Sequence, residues 1–463
     1  MDGVFILGIR GWKGQLARTM PSSFWQRILD WRTKTTACSS LNIRQIHTEN
    51  TVSTRHLAEF LGLAYADDAV RQATTVDGSS WAILSDAFEK HGFSLFKVKH
   101  DAVGYGAIEA WSVIAPKEFG GTLRDDRHAG LGAIWVVYSD GKPQVPDVQD
   151  FTEPIDVVYT WVDAADADWQ TSYRRYKELV PANGAHESSR DLARYTSRDE
   201  LKYSLRSLEM NLPWVRNIFL VTAGQVPEWL RQDNSKIKLV DHRDIFDNSE
   251  DCLPTFNSHA IETQISKIEG LSEHFLYVND DIFFGRPLSQ NTFFTASGDV
   301  KYALANKHYS EASNPRLAVN QAAQRNADLI FDKYGRTTAL KFRHVAHPQR
   351  LLIHDKIREY FPNAVNATAR HKFRHVEDIS VPSSLAHYIA AAEGLGVPAE
   401  IDYAYVDLGG DHLALNLYRL LVGSGKQMFC LNEVATVSEK ELRGRMAKRV
   451  LNSLFPYKSS FEN

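Results

Sequence analysis

Between Ile155 and Val278 the chain alternates short, nearly continuous apolar runs with helical repeats. Ile155–Val162 reads as a buried strand, and so do Asn217–Thr222 (ended by Gly224), Ile237–Val240 and His274–Val278. Asp199–Met210 has helical spacing, with Leu201, Leu205 and Leu208 on one face. Pro227–Leu230 predicts the start of a short helix, and Ser258–Gly270 a longer one. Apolar strands separated by helices must be joined by crossovers, so the expected fold class is α/β. It is a mainly parallel, Rossmann-like sheet with helices on both faces. Such sheets bind ligands beyond the carboxyl ends of their strands, which is where this sequence places its polar clusters.

The segment before this pattern is different. Arg55–Leu61 and Trp81–Phe88 have helical spacing, whereas Phe93–Val98, Ala110–Ile114 and Ala133–Tyr138 read as strands. No chemical constellation stands out among them, so residues 1–145 are expected to form a small α+β accessory domain. A polar, Pro-containing stretch runs from Ser139 to Pro154, and the linker is placed at 146–154. The main domain is expected over 155–433 and a helical tail over 434–463.

Several function classes are disfavoured by composition. The 463 residues are 43% hydrophobic and 24% charged, typical of a soluble protein with at least one large core. A formal net charge of −4 provides no field for nucleic acid or an anionic membrane. No run approaches the roughly 18 to 20 apolar residues of a membrane helix. Val4–Ile9 is too short for a signal-peptide core and reads as a strand. Cys38, Cys252 and Cys430 are odd in number and far apart, which predicts neither a disulfide framework nor a metal-ligand spacing. A cytoplasmic setting follows, with any membrane association peripheral and at the inner face. A homodimer is left open.

Three clusters carry chemistry. Tyr159–Asp163 closes the first strand with an aromatic, Trp161, beside a carboxylate, Asp163. That pairing suits a nucleoside ring and a ribose hydroxyl, although a core Trp followed by a capping Asp reads the same way. Asn279, Asp280 and Asp281 emerge from a buried strand between apolar flanks. Like charges so close are unfavourable unless a cation or strong donors compensate, and Mg²⁺ (or Mn²⁺) takes one or two carboxylates plus phosphate oxygens. A plain Asn-Asp-Asp turn is the alternative. The third cluster runs from His344 through His347 and Arg350 to His371–Asp378, where Lys372 and Arg374 bracket an aromatic and His375 follows. Arginine and lysine recognise phosphate, and histidine takes a proton near neutrality. If the segment were helical, His344 and His347 would share a face.

Taken together, these blocks resemble the Stealth family of sugar-1-phosphate transferases, which includes bacterial capsule and exopolysaccharide enzymes and the lysosomal-enzyme N-acetylglucosamine-1-phosphotransferase. The resemblance rests on Ile155–Asp163; on Arg198–Ser207, Pro213–Ile218, Leu253–Ser258 and Ile268–Gly285; on His344–Pro348 with His371–Asp378; and on Phe429–Glu433. The last block departs from the family's usual Leu-Asn-Asp in carrying Glu433. The resemblance implies a nucleotide-sugar-transferase-like (GT-A) sheet, a UDP-sugar donor and a carbohydrate acceptor. The acceptor hydroxyl would attack the sugar-bearing phosphorus and UMP would leave. It also implies roles: Asp280 and Asp281 as metal ligands, His347 as general base, and Arg374 with Lys372 or His375 on the transferred phosphate. Trp161 and Asp163 would contact the nucleoside. Arg198, Asp199, Asn257, Asn279 and Glu377 would line the substrate site. The alternatives are a conventional metal-dependent glycosyltransferase that releases UDP, and a carbohydrate-binding module without chemistry.

Overall fold

The computed structural model describes residues 23–29, four strands before residue 140, and residues 148–463 except 182–189, 196, 198, 213, 287, 309–317, 423–425, 433–439 and 456–457. The expected strand Val4–Ile9, the helices Arg55–Leu61 and Trp81–Phe88, and the site candidates Arg198 and Glu433 lie outside the described residues. The four early strands, β1 (Thr75–Val76), β2 (Ser94–Val98), β3 (Ile108–Ile114) and β4 (Ile134–Ser139), form one sheet in the order β1-β4-β3-β2. Three of them fall within two residues of the expected positions.

The central sheet has five strands in the order β13-β8-β5-β6-β7: β5 (Ile155–Thr160), β6 (Ile218–Thr222), β7 (Ile237–Asp241), β8 (His274–Asn279) and β13 (His347–Arg350). The first four are parallel, as expected, and β13 adds an antiparallel edge against β8. Successive side chains of a strand point to opposite faces, and the apolar clusters follow that period. Val157, Tyr159, Leu220, Leu276 and Val278 pack on one face, where Leu201, Leu205 and Leu208 of the helix Glu200–Asn211 cover them. Val158, Phe219, Val221, Phe275 and Tyr277 pack on the other, under Ala260, Ile261, Ile265 and Ile268.

A charged residue inside the first strand is tolerated because its needs are met. Asp156 is fully buried and accepts from Arg216 Nε (2.9 Å) and Nη2, and from the backbone N–H groups of Asn217 (3.0 Å) and Ser272 (2.8 Å). Two helical expectations change in detail. Ser258–Gly270 divides into a helix, Ser258–Glu262, and a 3-10 turn, Ile265–Lys267, ending at Gly270 with φ of +77°. Pro227–Leu230 is a turn closed by the Leu230 N–H on the Pro227 carbonyl at 2.9 Å, because Leu230 bridges to Glu462 near the end of the chain instead of continuing a helix.

Directly after Asp281 the chain reverses into β9 (Ile282–Phe284), which joins a second sheet in the order β15-β16-β9 with β15 (Tyr403–Asp407) and β16 (Met428–Asn432). The pairs β10 (Val300–Tyr302) with β14 (Gly396–Pro398), and β11 (Leu304–His308) with β12 (Leu340–Phe342), complete the strands. At Gly285 a side-chain carbon would collide with the Lys426 carbonyl, so glycine lets β9 approach β16. Behind this sheet Phe283, Phe429, Leu417 and Val450 pack with Trp25 and Leu29 from residues 23–29. The expected helical tail is the helix Lys440–Leu454, and a return segment follows it. There Glu462 takes a bidentate, buried pair from Arg206 Nε (2.7 Å) and Nη2 (2.6 Å).

Candidate functional site

The two sheets meet at Asp280 and Asp281, so the acid pair occupies a corner rather than an open loop. Strand β8 reaches its end beside β5, with Asn279 in register with Thr160. The Asp281 carboxylate accepts from Asn432 Nδ2 (2.8 Å), the Cys430 thiol (3.2 Å) and His344 Nε2 (3.3 Å), while its own carbonyl holds the Leu431 N–H at 3.1 Å. Burial alone would raise its pKa, but His344 and the other donors outweigh that and leave it below the usual value. The same contact pushes His344 up, against the opposing effect of its burial. Asp280 is the reverse case. Burial first, then Glu200 and Asp281, drive its carboxyl well above the ordinary range. Glu200 adds its influence to that of Asp281 on Asp280, and carboxylate oxygens are the donors a hard divalent cation prefers. Asp281, His344 and Cys430 also converge, as a mixed oxygen, nitrogen and sulfur set with ligand atoms within 4.8 Å of one another. Sequence spacing could not show Cys430 there, because 149 residues separate it from Asp281.

His344 and His347 do not share a helix face. Residues 344–346 are irregular and His347 begins β13, paired with Tyr277 of β8. The His347 ring is 4% exposed, and its Nδ1 lies 3.0 Å from Nε2 of His387, itself 1% exposed. Among the described residues neither His347 Nε2 nor His387 Nδ1 has a hydrogen-bond partner. Desolvation drives both rings down, His347 well below 6.5 and His387 to about 3, so both are neutral imidazoles.

The basic loop 371–378 is clasped to the segment that precedes the helix Ser258–Glu262. Asp378 is fully buried; it accepts from His371 Nδ1 (2.7 Å), Asn257 Nδ2 (2.8 Å) and the His375 N–H (2.9 Å), and His259 Nδ1 lies 3.4 Å away. These donors overcome the effect of burial and hold its pKa far below the usual range. Asn257 also caps the helix, accepting the His259 N–H at 3.1 Å. Lys372 turns back to the carbonyls of Asp251 (2.9 Å) and Leu253 (3.1 Å). Arg374 donates from Nη2 to Ser258 Oγ (2.7 Å) and lies within electrostatic reach of Glu262 and His344. The His375 ring sits 4.2 Å from that of His371, with Glu377 exposed beside it, and these three form a second possible cation-binding group.

The structure therefore brings Asp280, Asp281, Arg374 and Asn257 to one end of the sheet and sets other candidates apart. Trp161 is packed in the core. Asp163 is locked in its loop: its N–H donates to Gln225 Oε1 (3.1 Å) and its carbonyl accepts from Gln225 Nε2 (2.9 Å). Asp199 adopts a left-handed conformation, φ of 67°, before the helix Glu200–Asn211 and pairs with Lys448 at 2.6 Å. Reasoning from sequence missed Glu200, Glu262, Cys430, Asn432 and His387 as part of this neighbourhood. For Cys430 and Asn432 the signal was their place in the last family block; for His387 there was none.

Three stretches match the descriptions Stealth protein CR1, conserved region 1 (residues 153–179), CR2 (194–302) and CR3 (343–391). Over 319 residues the chain is 42% identical to an exopolysaccharide phosphotransferase of Streptomyces coelicolor, covering 68% of this chain and 34% of that protein. It is 38% identical to the exopolysaccharide phosphotransferase CpsY of Mycobacterium tuberculosis (62% of this chain, 54% of that one) and 36% identical to one from Nocardia farcinica (68% and 62%). The chain thus spans only part of these longer relatives. Among solved structures, the galactosyltransferase LgtC with donor and acceptor sugar analogues matches at 12% identity and a TM-score of 0.34, covering 64% of this chain and 95% of that one. An overlap that loose fixes no equivalence of residues.

Proposed function

This chain belongs to the Stealth family, and we propose that it transfers a hexose-1-phosphate or N-acetylhexosamine-1-phosphate from a UDP-sugar to a carbohydrate hydroxyl, releasing UMP. The relatives' names support a transferase of exopolysaccharide synthesis. The observation that carries the reading is the acid corner. Burial drives the Asp280 carboxyl up, Glu200 and Asp281 add to it, and Arg374 of the basic loop lies within electrostatic reach of His344, which contacts Asp281. Among the described residues no helix is long and apolar enough to cross a membrane.

In this reading Asp280 and Asp281 hold Mg²⁺ or Mn²⁺, which when bound neutralises charge on the diphosphate. The protein's part is mainly alignment and charge placement, as is usual in phosphoryl transfer. Arg374, anchored on Ser258, offers its remaining N–H groups to the transferred phosphate. The clasp through Asn257 and Asp378 fixes the loop that carries it. His347 Nε2 accepts the proton of the attacking hydroxyl. The new O–P bond forms as the P–O bond to UMP breaks, and UMP takes the electron pair. Trp161 and Asp163, expected to contact the nucleoside, are given no part in this reading, because the first is packed in the core and the second is held by Gln225. The test is the nucleotide released from a panel of UDP-sugars. UMP is expected; UDP would mean attack at the sugar carbon, the conventional glycosyltransferase reaction.

A further inference from the structure

We infer that His387, in the helix Ala386–Ala392, is a positioning residue that fixes the tautomer of His347 and so presents a bare Nε2 to the acceptor hydroxyl. The inference deepens the proposed transfer and rests on it. Its observation is a pair of buried rings sharing one contact. His347 Nδ1 and His387 Nε2 are 3.0 Å apart, and the outer nitrogen of each ring, His347 Nε2 and His387 Nδ1, is buried without a partner among the described residues. Buried polar atoms left unpaired are few in folded proteins and call for an explanation.

The hydrogen count narrows the choices. Both imidazoles are neutral, so two hydrogens are shared among four ring nitrogens. The contact between the rings uses one donor and one acceptor. Either His347 donates through Nδ1–H and keeps Nε2 bare, or His387 donates and His347 Nε2 carries a hydrogen. Only the first arrangement can take a proton at Nε2, and a hydroxyl donating there would satisfy the unpaired atom. The proton then moves from the acceptor oxygen to Nε2 as the O–P bond forms. Nδ1–H stays donated to His387, which shares the charge that appears on His347. His387 is well placed for this because its ring is fixed too, against Phe342 (ring centroids 5.2 Å) and Tyr302 (6.1 Å). His347 is anchored by the backbone pairing of β13 with β8.

The experiment uses the full chain with two variants at one position. His387→Phe keeps an aromatic ring in the box but removes the acceptor; His387→Gln supplies an amide oxygen in place of Nε2. Losing such an outer partner typically costs about 10- to 100-fold in activity. We expect kcat to fall by that factor in His387→Phe with donor KM within about twofold, and His387→Gln to recover most of it. In ¹⁵N-histidine spectra, with the signal identified by its loss in His347→Ala, His347 should be the Nδ1–H tautomer. Wild-type kcat in folded His387→Phe, or no recovery in His387→Gln, would overturn the inference. If His387→Phe does not fold, the wild-type spectrum decides, and an Nε2–H tautomer of His347 overturns it. Failure of the underlying reading looks different. UDP as the product removes phosphotransfer but leaves the pairing testable, whereas a folded, fully active His347→Ala removes the base itself.

Discussion

The acid corner and the basic loop are linked through Arg374, which lies within electrostatic reach of His344, yet they handle charge in opposite ways. In the loop 371–378 the buried acid and one of the two strong bases are answered within the protein, while Glu377 lies exposed. Asp378 has three hydrogen-bond donors and His259 beside it, and Lys372 is spent on two backbone carbonyls. Arg374 keeps most of its fork after one bond to Ser258. At the corner, Asp281 is supported by Asn432, Cys430 and His344, but Asp280 meets Glu200 and Asp281 with its carboxyl driven far up. A satisfied cluster holds a loop in place, and an unsatisfied one waits for a ligand. In the proposed reading the cation would sit at the corner and the phosphate at Arg374, while Lys372 holds the loop through the Asp251 and Leu253 carbonyls.

Removing the corner should have the largest effect. Asp281→Asn is expected to lower kcat by about 10²- to 10³-fold, the scale of several kcal/mol of lost charge stabilisation, with an unchanged circular dichroism spectrum. A folded variant within a few-fold of wild type would remove the corner from the chemistry. Chelation should match it: activity lost in excess chelator and restored by Mg²⁺ or Mn²⁺, whereas full activity after exhaustive dialysis against chelator would leave the carboxylates without their ion. Next comes the contrast within the basic loop. Arg374→Ala should raise donor KM and lower kcat, each by roughly tenfold, while Lys372→Ala should leave both within about threefold and cost about 1 kcal/mol of stability. Equal losses from the two would break the distinction.

The smallest expected effect is on stability. The folded-state pKa of Asp378 lies below its unfolded value, so its contribution is complete above about pH 4 and is lost as pH falls toward the folded pKa. Asp378→Asn should therefore destabilise by about 1–3 kcal/mol at pH 7, and the gap in urea midpoint between variant and wild type should shrink below pH 4. A gap independent of pH would mean that the carboxylate's charge is not what closes the clasp.

The central sheet was legible because strands buried on both faces read as continuous apolar runs, and the Leu201, Leu205 and Leu208 stripe falls where helical spacing put it. Strand β13 was not. Its four residues, His347–Arg350, are three polar side chains and a proline, and pairing with β8, not propensity, makes them a strand. The acid pair could be read from its position after a buried strand. Its surroundings could not, because Glu200, His344, Cys430 and Asn432 come from segments tens to more than a hundred residues away. Surroundings also separate the two histidines: three residues apart in sequence, His344 is held by an acid and pushed up, and His347 is pushed down by burial, with His387 adding to it.

The fate of the sugar-bearing phosphorus tests the central claim most directly. A UDP-sugar labelled only at that phosphate should pass its label to the carbohydrate product in step with the transferred sugar, in amounts equal to the UMP formed. A labelled nucleotide beside an unlabelled, sugar-extended product would contradict the account, because the sugar carbon, and not phosphorus, would then be the atom attacked.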